Sequence, residues 1–362
     1  MNVLYLTNVP APYRVLYFNE LAKYCDLTVL YQRESSAERD DQWKLRSDGT
    51  YKEIYLKGIR TGAEYVLSFE IIRYLKKPYD VVVICGNASP TEIIAIRYCQ
   101  RKGIPYCIEG DGAFVKQVSA LKKHIKTKLI SKAERMFSTC EEHDRYYLFY
   151  GGANERIVRY RFTSVKEDEI ARDMPGPEEK KKLRGMLGMN EEKIILAVGQ
   201  FIPRKGFDVL LDAVKGIPDA GVYIIGGEAT EEYRQQVIRN GLTCVHFVGF
   251  TGKEELMRYY KAGSVFVLPT REDIWGLVIN EAMANGLAVV STDRCNAATE
   301  LVRDNENGFV VPADSAQALH DAIVSALADE RRMGQRSLEV IRGYTIEEMA
   351  KDHMTVFEQL CS

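Results

Sequence analysis

The feature that most constrains the fold is an alternation of short apolar runs with longer segments of helical spacing, which continues along the whole chain. The runs are unbroken stretches of apolar residues, without an alternation of apolar and polar positions. A strand has this pattern when helices cover both faces of its sheet. Strands of this kind that alternate with helices predict a doubly wound parallel sheet.

The alternation forms two series. The first contains the apolar runs Val3–Leu6, Leu27–Tyr31, Val81–Cys85, Tyr106–Ile108 and Met136–Thr139. The second contains the runs Ile194–Val198, Gly221–Ile225, Val245–Val248, Val265–Leu268, Ala288–Ser291 and Phe309–Val311. Between the series, the sequence supplies polar helix and turn signals but no strand. We therefore expect two Rossmann-like domains facing each other across a cleft, over residues 1–163 and 164–345, with a C-terminal helix over 346–362 that packs back on the first domain.

Composition and charge exclude several classes of protein. The 362 residues are 46% hydrophobic, which is typical of a globular protein and excludes a disordered or collagen-like chain. The net charge is only −2, so binding to nucleic acid through a bulk basic charge is excluded. The first 163 residues hold 26 Lys and Arg against 19 Asp and Glu, which gives the predicted first domain a basic excess.

The N-terminus and the cysteines indicate a compartment. The first residues carry no basic segment and no small-residue cleavage site, so they are not typical of a signal peptide. No apolar run approaches the roughly 18 residues that span a bilayer. The eight cysteines are scattered and form no C-x-x-C pair, which favours free thiols in a reducing environment. We expect a cytoplasmic protein, peripheral on the cytoplasmic membrane face if it meets a membrane.

The most informative motif is Pro269–Gly286, which follows an apolar run and opens a helix. We expect Asp273 in the loop, Gly276 near the start of the helix and Glu281 one to two turns later. Backbone N–H groups at a helix start, together with the helix dipole, favour a phosphate or sugar oxygen. A carboxylate on the same helix suits a ribose diol, from which it can accept two hydrogen bonds.

This motif resembles the acidic-x7-acidic signature of family 4 of the retaining glycosyltransferases, the glycosyl transferases group 1, which have the GT-B fold. Four further blocks resemble the family at similar spacing: Val198–Leu211, Ile224–Glu228, Val245–Gly249 and Glu300–Val311. The resemblance extends over nearly the whole chain. It implies transfer of a sugar from a UDP- or GDP-linked donor to a saccharide or lipid-linked hydroxyl acceptor, in polysaccharide or glycolipid assembly, without a metal or other cofactor.

The resemblance assigns roles to the signature. Glu281 stands where the family holds the nucleotide ribose. Asp273 stands at the first acidic position, which contacts hydroxyls of the donor sugar, and replaces the usual glutamate. The remaining predicted donor contacts of this segment are made mainly by backbone and belong to Ile274, Trp275, Gly276 and Leu277.

The loop after Ile194–Val198 is expected to bind the donor diphosphate. Lys205 matches the family lysine that neutralises the leaving phosphate, and Arg204 is a second candidate cation. An exposed turn before a helix is the alternative interpretation of these two residues. The other predicted donor-binding residues in and near the site are Gly199, Gln200, Gly227, Glu228 and Phe250, of which Gln200 replaces an arginine common in the family.

Two loops of the first domain are candidates for the acceptor site. In the loop Asn8–Arg14, Pro12 and Arg14 are predicted to bind the acceptor. Glu109 and Asp111 follow a predicted strand where many family members have a histidine, and we take both as catalytic candidates. They are otherwise turn-forming residues beside glycines, or the acidic pair of a metal-dependent GT-A enzyme, which the two-domain pattern opposes.

Residues 121–135 are predicted to form a helix with six Lys and Arg and one acidic residue. Its apolar residues fall on one face. The basic face is either a solvated surface of a helix packed on the core or a docking site for an anionic membrane.

Two other functions remain open. A nucleotide-sugar binding protein without transferase activity is compatible with the substitutions at Gln200 and Asp273. A dinucleotide oxidoreductase is disfavoured, because no G-x-G-x-x-G follows Val3–Leu6.

Overall fold

The computed structural model describes residues 1–34, 48–61 and 65–362, which divide into two compact units. Unit 1 comprises Met1–Ser164 together with Thr345–Ser362, and unit 2 comprises Val165–Tyr344. The C-terminal helix therefore belongs to the same unit as the N-terminal strand.

Within the described residues, unit 1 is built on a seven-stranded parallel sheet. Its spatial order is β3-β2-β1-β6-β7-β8-β9, and a separate antiparallel hairpin is formed by β4 and β5. The strands are β1 Asn2–Thr7, β2 Asp26–Tyr31, β3 Lys52–Tyr55, β4 Ile59–Thr61, β5 Tyr65–Leu67, β6 Val81–Cys85, β7 Cys107–Glu109, β8 Arg135–Ser138 and β9 Ile157–Arg159.

Helices connect these strands. They are α1 Pro12–Leu21, α2 Ile71–Leu75, α3 Pro90–Lys102, α4 Ala120–Ile130, α5 Glu141–Phe149 and the C-terminal helix, which is α14 Ile346–Cys361 in chain order. Helix α3 begins at a complete capping box, in which Ser89 and Glu92 satisfy each other's backbone N–H groups. Helix α14 packs against α1.

Unit 2 contains a six-stranded parallel sheet in the order β12-β11-β10-β13-β14-β15 among the residues described. The strands are β10 Lys193–Val198, β11 Ala220–Ile225, β12 Val245–Val248, β13 Val265–Leu268, β14 Ala288–Thr292 and β15 Gly308–Val311. The helices are α6 Pro177–Met186, α7 Phe207–Ala213, α8 Glu231–Arg239, α9 Lys253–Ala262, α10 Leu277–Ala284, α11 Asn296–Leu301, α12 Ala316–Ala328 and α13 Glu330–Ile341.

The strand order of each sheet reverses once. In unit 1 the reversal lies between β1 and β6, and in unit 2 it lies between β10 and β13. Because all strands of a parallel sheet point the same way, the loops that leave their carboxyl ends gather at one edge. Open α/β sheets bind ligands at this edge, beside the reversal.

Apolar side chains pack on both sheets, as the unbroken apolar runs in the sequence of the strands predict. The central strands β10 and β13 are buried along almost their whole length. One core is formed by the sheet of unit 2 with α7 and α12, and another by the sheet of unit 1 with α3, α4 and α5. The prediction of two doubly wound parallel sheets is confirmed.

The predicted basic helix over 121–135 is too long. Helix α4 ends at Ile130, and Arg135 already belongs to β8. The predicted apolar face is also wrong at its start: Leu121 is 70% exposed, while Leu129 and Ala133 are fully buried. A turn over residues 131–134 separates the end of the helix from β8.

Candidate functional site

Two of the predicted site residues meet at the strand reversal of unit 2. Lys205 follows β10 and Asp273 follows β13, and these strands are neighbours in the sheet. Lys205 Nζ donates to Asp273 Oδ2 at 2.6 Å, and 13% of each side chain is exposed. A cation and an anion therefore stand together where a sheet of this topology binds ligands.

Glycines allow the loops around this pair to approach closely. A Cβ atom on Gly226 would lie 1.9 Å from the carbonyl oxygen of Gly199. Gly206 has a φ of +69°, and a Cβ there would lie 2.0 Å from the carbonyl oxygen of Pro269. The loop that carries Lys205 is thus packed backbone to backbone against its neighbours, which fixes the position of the lysine.

The loop that carries Asp273 is held by hydrogen bonds to the segment before α11. The N–H of Asp273 donates to Arg294 O at 2.8 Å, and the N–H of Asn296 donates to Asp273 O at 3.2 Å. These two bonds hold the backbone of Asp273 on both sides. The carboxylate is therefore presented by a rigid loop.

Trp275 anchors the same loop in the core. Its side chain is 2% exposed, and its indole N–H donates to Asn280 Oδ1 at 2.9 Å. Its carbonyl accepts a hydrogen bond from Cys295 Sγ at 2.9 Å. The neighbouring Ile274 is 47% exposed. A ligand at this loop would meet the backbone and Ile274, because the indole is turned inward.

Helix α10 begins directly after this loop. Gly276 precedes it with a φ of +106°, and a Cβ there would lie 2.7 Å from Cys295 Sγ. Only glycine fits this position without strain. The N–H of Ile279 donates to Gly276 O at 2.9 Å. The N–H groups of Leu277 and Val278 precede it at the positive dipole end of the helix, which favours an anion.

Glu281 lies one turn into α10 and is half-buried. The hydroxyl of Tyr260 on α9 donates to its Oε2 at 3.1 Å. Burial, and then the charge of Glu281, raise the pKa of Tyr260. Tyr260 therefore keeps its proton and orients the carboxylate as a hydrogen-bond donor. The sequence did not indicate this role, because Tyr260 resembles any core tyrosine of an amphipathic helix.

Arg204 lies beside the Lys205–Asp273 pair. Its guanidinium donates to Glu272 O at 2.6 Å and lies 3.8 Å from Asp273 Oδ2. Its side chain is 45% exposed, so it keeps a face toward solvent. Arg204 therefore lies at the same carboxylate as Lys205. The prediction for both residues is binding of the donor diphosphate.

Arg271, which was not predicted as a site residue, links the loops around this site by ion pairs. Its guanidinium binds both carboxylate oxygens of Asp208, at 2.9 and 2.6 Å, and Asp314 Oδ1 at 2.6 Å. These hydrogen bonds, chiefly those with Asp208, raise the pKa of Arg271. The loop after β13 is thereby tied to the start of α7. No local pattern in the sequence indicates these contacts, because Asp208 and Asp314 lie 63 and 43 positions away.

The other predicted donor residues lie on loops at the same edge of the sheet. Gly199 and Gln200 follow β10, Gly227 and Glu228 follow β11, and Phe250 follows β12. Gln200 and Glu228 are exposed, and Phe250 is 40% exposed. A Cβ on Gly227 would meet no atom within 4 Å, so the space beside it is open.

A second cluster occupies the carboxyl edge of the sheet in unit 1. The guanidinium of Arg14, on α1, forms ion pairs with Glu109 and Asp111, which flank the end of β7. Arg14 is 3% exposed and Glu109 is fully buried, whereas 27% of the Asp111 side chain is exposed. Pro12 is half-buried at the first turn of α1.

Glu109 is fully buried in this structure, and Arg14 is paired with two carboxylates. The roles of Glu109 as a catalytic residue and of Arg14 as an acceptor-binding residue stay predictions. Asp111 is the carboxylate of the cluster that reaches solvent, with its other oxygen accepting from the hydroxyl of Tyr13.

Glu109 is ionised despite its burial. Burial would raise the pKa of its carboxyl, but Arg14 and His353 hold the pKa at about 2. The hydroxyl of Tyr5 also donates to Glu109 Oε2 at 3.0 Å, and Tyr17 lies behind it with an O–O distance of 2.8 Å. None of these partners was predicted, because they come from distant parts of the chain.

A histidine packs against the loop between Glu109 and Asp111. A Cβ on Gly110 would lie 3.0 Å from His143 Cε1, so the ring edge faces that glycine. The N–H of Thr139 lies 3.3 Å from His143 Nδ1, which accepts its hydrogen bond. Burial lowers the pKa of His143 to about 3, although Glu109 opposes this effect. The ring is neutral at pH 7.

The described part of the chain contains neither a candidate metal site of three or more ligands nor a helix that could span a membrane. In it, no three His, Cys, Asp or Glu side chains gather into a group that could hold a metal ion. No helix in it is long and apolar enough to cross a membrane.

Comparison with known proteins finds a family match for part of the chain. Residues 179–340 match the family described as glycosyl transferases group 1. The chain is similar to the GDP-mannose-dependent alpha-(1-6)-phosphatidylinositol monomannoside mannosyltransferase of Mycolicibacterium smegmatis, with 31% identity over 49% of this chain and 52% of that protein. It is also similar to the lipopolysaccharide core biosynthesis mannosyltransferase LpsB of Rhizobium meliloti, with 30% identity over 51% and 57%. The chain spans about half the length of the curated relatives it matches.

Solved structures resemble the chain over its whole length. The structure of Anabaena Alr3699/HepE in complex with UDP superposes with a TM-score of 0.81 and 16% identity, covering 99% of this chain and 100% of that one. Such a low identity shows the fold alone, and that fold is GT-B, as predicted. Residues 179–340 thus match the glycosyl transferases group 1 family, and the chain as a whole has the GT-B fold.

Proposed function

We propose that this protein is a retaining glycosyltransferase that moves a sugar from a nucleotide diphosphate sugar to a hydroxyl acceptor in glycolipid or polysaccharide assembly. One observation carries the proposal. Lys205, Asp273 and the start of α10 lie together at the strand reversal of the unit that carries the family match. A diphosphate needs cations and N–H groups, and a sugar needs a carboxylate, at adjacent positions.

The donor would be bound in three parts. Lys205, with Arg204 beside it, and the first-turn N–H groups of α10 bind the diphosphate. Asp273 accepts hydrogen bonds from sugar hydroxyls. Glu281, oriented by Tyr260, accepts from the ribose diol, and Phe250 offers an exposed aromatic face to the base. The base is uracil or guanine: one relative is described as GDP-mannose-dependent, and one structural neighbour holds UDP.

The chemical step that we propose is the one that the family resemblance implies. The bond between the anomeric carbon and the phosphate oxygen breaks, and the acceptor oxygen forms a bond to that carbon on the same face. The acceptor proton passes to the departing phosphate. Lys205 and the helix start stabilise the negative charge that develops on the phosphate, which is the largest contribution such a site can make to the rate.

The cationic groups of the site also underlie the proposal that no metal is required. Lys205, Arg204 and the dipole of α10 supply the positive charge that a divalent cation supplies in other phosphate-transfer sites. We therefore expect turnover to be unchanged after treatment with EDTA. A loss of activity that Mg²⁺ or Mn²⁺ restores would contradict this part of the proposal.

The acceptor would be bound by unit 1, through Asp111. This carboxylate is partly exposed at the carboxyl edge of the sheet and is held by Arg14 and Tyr13. A fixed carboxylate of this kind is suited to accept a hydrogen bond from a sugar or lipid-linked hydroxyl.

We expect helix α4 to dock on an anionic membrane surface, on the cytoplasmic face. Lys122, Lys123 and Lys128 are exposed on it, beside the 70% exposed Leu121. Lys123 Nζ also lies 3.8 Å from the ring centroid of the partly exposed Phe149. Basic residues around exposed apolar ones are typical of a surface that binds anionic lipid head groups.

The test is a thermal-shift screen with UDP, GDP and a panel of their sugar conjugates, followed by measurement of sugar transfer and of the product anomer by NMR. A ligand that binds only the folded state raises the melting temperature. We expect stabilisation by one nucleotide and its sugar conjugate, and a product of unchanged anomeric configuration. Binding without any turnover would identify a nucleotide-sugar binding protein, and an inverted product would refute the retaining mechanism.

A further inference from the structure

The charged cluster of unit 1 includes a residue from the C-terminal helix. His353 lies on α14 and is fully buried. Its Nδ1–H donates to Met349 O at 2.8 Å, since a carbonyl oxygen can only accept. This bond orients the ring, and Nε2 then faces Glu109, whose Oε2 lies 3.4 Å away.

Aromatic rings hold the imidazole in this orientation. Phe137 stacks on it with a centroid distance of 4.5 Å, and Tyr17 and Tyr160 flank it at 4.9 and 4.6 Å. Nε2 is buried and makes no hydrogen bond of normal length within the described residues. The ring is therefore held facing Glu109, and it cannot turn to another partner unless these aromatic side chains repack.

Glu109 divides its two oxygens among several partners. Oε1 is bound by Arg14, while Oε2 faces Tyr5 and His353. Arg14 in turn uses its second terminal nitrogen for Asp111. A buried carboxylate needs full compensation of its charge. If Arg14 were the only group near Glu109, it would be drawn toward Glu109 and away from Asp111.

We propose that His353 is a positioning residue for Asp111. As an imidazolium whose Nε2–H points at Glu109 Oε2, it shares the compensation of that carboxylate and allows the guanidinium of Arg14 to hold Asp111 at the carboxyl edge of the sheet. The last helix of the chain thus completes the proposed acceptor site. The inference rests on the proposed function only where it names the acceptor as the ligand of Asp111.

The structural part is tested without any substrate. The protein is labelled with ¹⁵N-glycine and ¹⁵N-histidine, and the amides of Gly110 and Gly112 report on Asp111 between them. We expect both amide signals to move in His353→Phe and to return toward their wild-type positions in His353→Gln, whose amide can still donate to Glu109. Glu109→Gln should shift the imidazole signal of His353. Unchanged glycine signals in both His353 variants would overturn the proposal.

A matched control is His320→Gln. The Nδ1 of His320 also donates to a backbone carbonyl, Ala213 O at 2.6 Å, but this histidine belongs to unit 2. Its substitution should leave the signals of Gly110 and Gly112 in place. If His353→Phe does not fold, the nearly isosteric His353→Gln with Glu109→Gln still decides whether the two side chains are in contact.

The functional part of the proposal is tested by comparing the effect on the acceptor KM with the effects on the donor KM and kcat. In transfer assays, His353→Phe should raise the acceptor KM about tenfold, as the loss of a charge-assisted contact can. The donor KM and kcat should stay within about twofold, because no donor-binding residue lies in this cluster. A fall of kcat, with the acceptor KM and the donor KM both unchanged, would overturn the positioning role. If no nucleotide sugar binds at all, the proposed function fails, while the NMR result still decides the role of His353.

Discussion

Lys205 Nζ lies 2.6 Å from Asp273 Oδ2, across the strand reversal of unit 2. The two residues come from loops after neighbouring strands, and each loop is held by backbone contacts. The carboxylate therefore pairs with the ammonium group. Under the proposed function, a donor phosphate shares this ammonium with Asp273, and the phosphate lies beside the carboxylate that is proposed to bind the sugar.

Asp273→Asn separates the two roles of this pair. Without the carboxylate, Lys205 is available to a phosphate alone, so the affinity for UDP or GDP should stay equal or rise a few-fold. Sugar transfer should fall by about 10²-fold, because a positioned contact to the sugar is weakened. Calorimetric titration of the nucleotide beside a transfer assay measures both effects. Nucleotide affinity that falls in parallel with transfer would show that Asp273 has no separate role toward the sugar.

Gly276→Ala should disturb the start of α10. The residue has a φ of +106°, and an added Cβ would lie 2.7 Å from Cys295 Sγ. We expect a loss of about 1–3 kcal/mol in stability and weaker nucleotide binding. Thermal melting with and without nucleotide measures both. Gly185→Ala is the control, since Gly185 lies within α6 and its Cβ would meet no atom within 4 Å; it should leave stability unchanged or raise it.

His143 should make the stability of the protein sensitive to acid. Burial lowers its pKa to about 3 in the folded state, against about 6.5 in an unfolded chain. Between these values the unfolded state binds the additional proton, so the stability present above pH 6.5 is lost as the pH falls toward 3. Wild type should lose more of its melting temperature between pH 7 and pH 5 than His143→Gln.

The comparison of His143→Gln with wild type isolates one of several titrating groups. Glu109, whose pKa is about 2, should contribute only below pH 4.5, since its folded pKa is depressed and its stability is lost from there downward. His320→Gln serves as the control for the general effect of removing a histidine. Equal pH dependence in wild type and His143→Gln would show that the imidazole is not held neutral.

Removal of exposed charge from α4 should weaken membrane binding. Lys122→Gln with Lys128→Gln removes two basic groups, each worth about 1 kcal/mol at an anionic surface. The affinity for vesicles that contain phosphatidylglycerol, measured by co-sedimentation, should fall by about 30-fold, and binding by wild type should fall as salt rises. Lys181→Gln with Lys182→Gln, on exposed positions of α6, is the matched control. Equal binding of wild type to neutral and anionic vesicles would contradict the proposed docking.

The strands of unit 2 could be predicted almost to the residue, because each is an unbroken apolar run between turn signals. All six agree with the prediction to within one residue at each end. The two edge strands of the sheet in unit 1 could not be found in this way. The strand β3, Lys52–Tyr55, is mostly exposed, and β9, Ile157–Arg159, is only three residues long, so neither forms an apolar run.

The site was predictable where a local motif carries it and not where distant residues meet. Lys205, Asp273 and Glu281 lie in segments whose spacing resembles the family. Arg14 and Glu109 meet across 95 positions of the sequence, and only the order of the strands brings them together. An arginine and a glutamate that look solvated in the sequence are for this reason buried together. Tyr260 and Arg271 also depend on packing that no local pattern reveals.

The most direct test of the account is the rate at which nucleotide diphosphate is released from the donor selected in the screen, compared between wild type, Lys205→Ala and Glu281→Ala. Lys215→Ala is the control, because Lys215 pairs only with Asp212 on the surface among the described ion pairs. The account predicts that Lys205→Ala and Glu281→Ala each lower turnover by about 10²-fold or more, as the loss of a positioned charge can, while Lys215→Ala retains it. Unchanged turnover in both site variants would contradict it.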